Sequence, residues 1–235
     1  MDAVTWIEGK NLVVTKANSL VEASYTLTLN EQRIILACVA QLDGRKPAPK
    51  GGIFVLTADE FRGHFNTDLK ITYQVMEEAA SRLYERDIRK IDNKTRKRMR
   101  WVYLAEYQKG EGSIKLGFSP EITPYLTMLH KSHTSYKLTE VAGLVSVYSI
   151  RLYEMLARFQ DTGWFIISVD EFRDRLELNE KYSRFSNLKA RVIDSAVKEL
   201  SAKTSIEVNW EPIKKGRNVF RLRFEFKEKT QMFLL

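Results

Sequence analysis

Cysteine is almost missing from this chain. Cys38 stands alone among 235 residues, so neither an internal disulfide nor a thiolate metal cluster can be built. It lies in the apolar run Ile34-Ile35-Leu36-Ala37-Cys38-Val39, where a lone thiol reads as a small core residue. Histidine is scarce as well: His64, His130 and His133 are the only three, and no cysteine or carboxylate pair at ligand spacing accompanies the last two. Nowhere do about eighteen apolar residues follow one another, as a bilayer-spanning helix requires. The opening Met1-Asp2-Ala3-Val4-Thr5-Trp6 lacks the basic and apolar regions of a signal peptide. A glycine-rich phosphate loop is missing too, because Pro47-Ala48-Pro49-Lys50-Gly51-Gly52 has neither the leading glycine nor the following Ser or Thr. The expectation is a cytoplasmic protein with no cofactor, no metal, no membrane partner and no catalytic residues.

What the chain does have is positive charge. Lys and Arg number 38 against 30 Asp and Glu, a net +8, which favours a polyanionic partner and nucleic acid first. With 44% hydrophobic residues it can fill one large core or two small ones.

Along the chain, Thr28-Leu29-Asn30-Glu31 has capping-box spacing and opens a helix from about Asn30 to Leu42. Gly52 to Leu56 reads as a strand, and a second capping box, Thr57 to Glu60, starts Phe61-Arg62-Gly63-His64-Phe65. A third helix follows from about Thr72 to Arg86, then a basic run that reads as a solvated loop. Two strands, Arg100 to Tyr107 and Ser113 to Phe118, are joined as a hairpin through Lys109-Gly110-Glu111-Gly112. Pro120 to His130 predicts a closing helix, and Lys131 to Ser135 the junction to a second domain. The domains are therefore expected over residues 1–130 and 131–235.

Beyond the junction, after a helix from Val147 to Phe159, the order begins again. Phe165-Ile166-Ile167-Ser168-Val169-Asp170-Glu171-Phe172-Arg173 restates Phe54-Val55-Leu56-Thr57-Ala58-Asp59-Glu60-Phe61-Arg62, 111 residues on from Asp59 to Asp170. A helix at Ser183 to Leu200 and the strands Ser205 to Trp210 and Asn218 to Phe226 complete the second copy. The chain is thus a tandem duplication. Each copy has the layout of a winged helix, a helix-turn-helix followed by a hairpin wing. The fold class is α+β, two winged-helix domains in tandem.

The third helices differ between the copies where a groove-reading function would show. In the second, Phe185, Leu188, Val192, Ala196 and Leu200 form a buried stripe, and Asn187, Arg191, Asp194 and Lys198 point away from it together. Arg184 and Ser186 stand at the helix start, and Lys189, on the flank of the stripe, reaches outward from the first turn. Lys214, Lys215 and Arg217 lie on the wing turn, within reach of backbone or minor groove. The first copy instead carries Glu77-Glu78 in its third helix, which repel phosphates, and concentrates its charge in the run that includes Arg96, Lys97 and Arg98. That run predicts sequence-independent backbone contacts. The first copy is left to hold a protein partner, a second copy of the chain.

Several stretches resemble the theta-type plasmid replication initiators of bacteria, a family that includes the F-plasmid initiator. They are Glu22-Ala23-Ser24-Tyr25-Thr26-Leu27-Thr28-Leu29-Asn30-Glu31-Gln32-Arg33, Ser149-Ile150-Arg151-Leu152-Tyr153-Glu154-Met155-Leu156, Ser168-Val169-Asp170-Glu171-Phe172-Arg173, Leu188-Lys189-Ala190-Arg191-Val192-Ile193 and Gly216-Arg217-Asn218-Val219. They span nearly the whole chain in the family's order. The resemblance implies two winged helices, monomers that bind directly repeated origin sites (iterons), and dimers that bind an inverted repeat to repress their own gene. It places base readout on Arg184 to Leu200 and gives the first winged helix backbone contacts and the dimer interface. It also implies host partners: the chromosomal initiator, the replicative helicase and chaperones that convert dimer to monomer.

Two other readings are open to the sequence. A plain winged-helix repressor would bind only its operator, as a dimer. A rolling-circle nicking enzyme would need a tyrosine and a metal held by two histidines one residue apart, whereas His130-Lys131-Ser132-His133 is spaced differently.

Overall fold

The computed structural model describes residues 12–91, 95–108, 110–178 and 180–229, excluding the side chains of Leu69, Lys70, Lys90, Ile91 and Arg96. The chain forms two compact units, Met1–Ala142 and Gly143–Leu235.

In the first unit the described elements are β1 (Val13–Ala17), α1 (Asn18–Val21), α2 (Leu29–Ala40), β2 (Ile53–Thr57), α3 (Ala58–Phe65), α4 (Leu69–Leu83), β3 (Asp87–Ile91), β4 (Arg96–Arg100), β5 (Val102–Gln108), β6 (Ser113–Phe118), β7 (His133–Lys137) and α5 (Leu138–Ala142). Both capping boxes form. The Thr28 amide donates to the Glu31 carboxylate at 2.8 Å, and the Thr57 amide to that of Glu60 at 2.7 Å. In return each threonine hydroxyl accepts from the glutamate's own amide, satisfying two backbone donors that a helix start leaves free. Helix α2 is buried at every residue from Glu31 to Ala40, so it is the central post of the unit rather than an amphipathic cover. Around it Phe61, Met76, Leu83 and Trp101 are all at most 1% exposed. Glu31, fully buried, meets Arg86 through two hydrogen bonds, Nε to Oε2 at 2.9 Å and Nη2 to Oε1 at 3.0 Å.

Three features of this unit depart from what the sequence predicts. The basic run is not a loop but the antiparallel hairpin β3–β4, because Ile88 and Met99, cross-strand partners, are both buried and anchor it. The helix predicted over Pro120 to His130 is reduced to a 3₁₀ turn, Thr123–Tyr125. There the Thr123 hydroxyl donates to the Ser119 carbonyl at 2.9 Å and the Thr127 hydroxyl to that of Thr123 at 3.0 Å, while Met128 takes a left-handed φ of 55°. Such side-chain bonds offer the backbone an alternative to helix. Finally, most of the predicted junction is strand β7, which pairs with β1 in the register Val14↔Tyr136, so the first compact unit runs past residue 130 to Ala142.

The second unit contains α6 (Val147–Ala157), β8 (Trp164–Ser168), α7 (Val169–Arg175), α8 (Phe185–Leu188), α9 (Asp194–Lys203), β9 (Ile206–Lys215) and β10 (Asn218–Glu228). A single π-helical turn, Lys189–Ile193, joins α8 to α9. Its three-stranded sheet has the order β8-β10-β9, matching β2-β6-β5 in the first unit: first strand, last strand, then the middle one. The phenylalanines of the repeated Asp-Glu-Phe-Arg, Phe61 and Phe172, are 0% and 1% exposed. Topology and packing both express the duplication, with the β3–β4 hairpin added in the first copy between its third helix and its wing.

Candidate nucleic-acid interface

The second unit's third helix is built to present cations. Leu188, Val192, Ile193, Ala196 and Leu200 are buried, while Arg184, Ser186, Asn187, Lys189, Arg191 and Lys198 are exposed. Among the described residues Arg184, Arg191 and Lys198 make no ion pair, so each keeps its charge available. Arg184 occupies the N-cap position of α8 with extended backbone (φ −74°, ψ 130°). The loop before it is fastened by Arg173, whose guanidinium donates to the carbonyls of Lys181 (3.1 Å), Tyr182 (2.7 Å) and Ser183 (3.2 Å). Its counterpart in the first copy, Arg62, only pairs with Asp59 on the surface, at 3.2 Å. Sequence reasoning missed this role, although Arg173 is the last residue of the repeated motif.

Asp194 does not point outward with Asn187, Arg191 and Lys198. The π turn takes up one extra residue and brings side chains five apart in sequence together. Lys189 and Asp194 therefore meet at 2.6 Å, and the indole Nε1 of Trp210 on β9 donates to the other carboxylate oxygen at 2.9 Å. Lys189 also lies over the Trp210 ring, 5.6 Å from its centroid. Asp194 is thus a half-buried brace between the helix and the wing strand, and it holds Lys189 in place.

On the wing, Lys214, Lys215 and Arg217 are exposed at the β9–β10 turn, where Gly216 adopts a left-handed φ of 62° that an L side chain rarely takes. In the first unit, α4 leaves Glu77 and Glu78 exposed, with Glu78 tied to Arg82 at 3.7 Å and to the Gln74 amide at 3.0 Å. The first unit's cations are partly engaged: Arg98 pairs with Asp87, and Arg100 with Glu85 at 3.0 Å. Lys97 and Arg98 are exposed on β4, opposite Lys90 and Arg89 across the hairpin. The backbone of Arg96 pairs with Ile91, and its side chain lies outside the described residues.

Replacing Lys97 and Arg98 together by Ala is expected to weaken specific and random duplex binding alike and to lower the steepness of log affinity against log salt by roughly one to two units. Affinity titrations from low to moderate salt check this, and an unchanged slope would remove the hairpin from the interface.

Among the described residues no group of three or more His, Cys, Asp or Glu could hold a metal ion, and no helix is long and apolar enough to cross a membrane. Burial first, and then the neighbouring Tyr182, pushes the phenol of Tyr148 up to about 12.

Comparison with known proteins gives matches over almost the whole described chain. Residues 13–157 match the model described as "Initiator Replication protein, WH1", and residues 168–226 that described as "Initiator Rep protein, WH2". A replication initiation protein of Escherichia coli is 30% identical, with 95% of this chain and 72% of that protein aligned. The PI protein of Escherichia coli is 26% identical over 92% of this chain and 83% of its own length. Among solved structures, the Pi initiator protein in complex with iteron DNA superposes with a TM-score of 0.82 at 24% identity, covering 94% of this chain and 99% of that one.

Proposed function

The chain belongs to the theta-type plasmid replication initiator family, and from that premise we propose that it starts replication by binding directly repeated origin sites (iterons) as a monomer. As a dimer it binds an inverted repeat and represses its own gene. The second unit reads base edges through Arg184, Ser186, Asn187, Arg191 and Lys198, with Lys189 braced by Asp194, while Lys214, Lys215 and Arg217 hold the adjacent backbone or minor groove. Backbone contacts through Lys97 and Arg98, and the interface between copies, belong to the first unit.

One observation carries this reading. Among the described side chains of the two duplicated third helices, those of the second present unpaired cations on the exposed face, whereas those of the first present Glu77 and Glu78, with Arg82 paired to Glu78. Positive side chains on a groove-entering helix meet phosphates and guanine edges, and carboxylates there oppose them. The solved Pi initiator with the same fold holds iteron DNA, which supports the same class of site for this chain.

The protein acts without chemistry of its own, in the bacterial cytoplasm. Its remaining partners are those the family supplies: the host chromosomal initiator, the replicative helicase and the chaperones that convert dimer to monomer.

The test is a gel shift with stoichiometry. One monomer bound to a duplex carrying a single direct-repeat unit supports initiation, while binding only to an inverted repeat, as a dimer, would reduce the protein to a plain repressor. Supercoiled origin plasmid incubated with protein and magnesium should remain unnicked, and nicking would overturn the non-enzymatic reading.

A further inference from the structure

The wing carries a half-exposed aromatic side chain among its cations. Along β10 the register with β9 passes from Val219↔Lys214 to Arg221↔Ile213, which leaves Phe220 as the extra residue of a β-bulge. A bulge re-aims the side chain it carries, and bulges gather beside functional sites. Phe220 is 45% exposed, and two cations flank it: Lys215 lies 5.8 Å and Arg221 5.2 Å from the ring centroid. The exposed Lys214 and Arg217 lie on the same hairpin.

The first unit supplies an internal control. Its sheet has a bulge too, at Tyr103, between the pairs Val102↔Phe118 and Leu104↔Gly117. That residue is equally exposed, at 45%, but its hydroxyl donates to the Gly51 carbonyl at 2.8 Å. Its ring also lies against Gly117, where an added Cβ would come within 2.7 Å of it. The Tyr103 bulge serves the fold. Phe220 has no hydroxyl to anchor it, and among the described residues its cation contacts are Lys215 and Arg221.

A half-exposed phenyl ring with a cation on either side is matched by a partner with both an apolar face and flanking negative charge. Duplex DNA seen from the minor groove has that pattern, apolar sugar and base edges between two rows of phosphates. We propose that Phe220 is a DNA-contacting residue, packed into the minor groove against sugars and a base step while Lys215 and Arg221 bind the flanking phosphates. The proposal rests on the reading of the second unit as the duplex-binding unit and adds an apolar contact to its charged ones. Because the contact presses on a base step, the fit depends on how easily that step opens, and Phe220 acts on sequence through deformability rather than through hydrogen bonds.

The test uses the full chain and a repeat-containing duplex with 2-aminopurine placed in turn at the steps flanking the helix-contacted bases. Wild type is expected to raise fluorescence at one step, where stacking is loosened. Phe220→Ala should abolish that rise and weaken binding about tenfold. Phe220→Leu, still apolar and bulky, should keep most of both. Since Phe220 is at the surface, thermal melting of all three proteins should coincide. Equal affinity and equal fluorescence for wild type and Phe220→Ala would overturn the wedge while leaving duplex binding in place. Failure of wild type to bind the duplex would overturn both.

Discussion

Replacing Arg86 by Ala is expected to destabilise the first unit by about 3 kcal/mol, the low end of the cost of stripping one partner from a buried ion pair. The low end applies because the Arg86 side chain is itself 33% exposed, while that of Glu31 is 0% exposed. Without the guanidinium the Glu31 carboxylate keeps, among the described residues, only the Thr28 backbone amide, and its charge is left without an ion-pair partner at the foot of the central helix α2. Arg86→Lys should recover little, since an ammonium replaces two parallel hydrogen bonds with one point contact. Glu31→Gln combined with Arg86→Ala should recover part of the loss, because a neutral amide is cheaper to leave buried and still accepts from the Thr28 amide. Urea melts of the four proteins check the order. Arg86 stands at the end of the predicted third helix, directly before the basic run, yet its work is structural, and a loss of DNA binding on its removal would follow unfolding rather than a missing contact.

Arg191→Ala is expected to lower affinity for the specific repeat by about 1–3 kcal/mol and to change random-duplex binding far less. Arg191 is exposed in the middle of the π turn, without an ion-pair partner among the described residues. A guanidinium so placed can bond two acceptors of a guanine edge at once. Competitive titrations against specific and scrambled duplexes separate the two terms, and an equal loss on both would make Arg191 a phosphate contact.

The elements most legible from sequence were those fixed locally. Thr28 with Glu31 and Thr57 with Glu60 start their helices through bonds that span three residues, so spacing alone locates them. The repeated Asp-Glu-Phe-Arg was legible because it places a buried phenylalanine after an acidic helix start in both copies. Features set by distant partners were hidden. In the β3–β4 hairpin, charges surround the only two described buried side chains, Ile88 and Met99, and strand pairing becomes visible only when the two meet. The segment Pro120 to His130 has helical apolar spacing, but its threonines bond back to the chain. On the second unit's third helix, an assumption of regular α periodicity directs Asp194 outward, whereas the π turn directs it to Lys189 and Trp210. The bulge at Phe220 depends on register with β9, which one strand's sequence does not carry.

Base readout by the second unit's helix is tested most directly by measuring wild type and Arg191→Ala against one direct repeat and all its single base-pair variants at fixed salt. Wild type should lose about 1–3 kcal/mol at each contacted position, and Arg191→Ala should lose discrimination at one position, or two neighbouring ones, while keeping the rest of the profile. A profile for Arg191→Ala that is weaker but parallel to wild type at every position would contradict base readout by this residue and reduce the helix to a phosphate-binding surface.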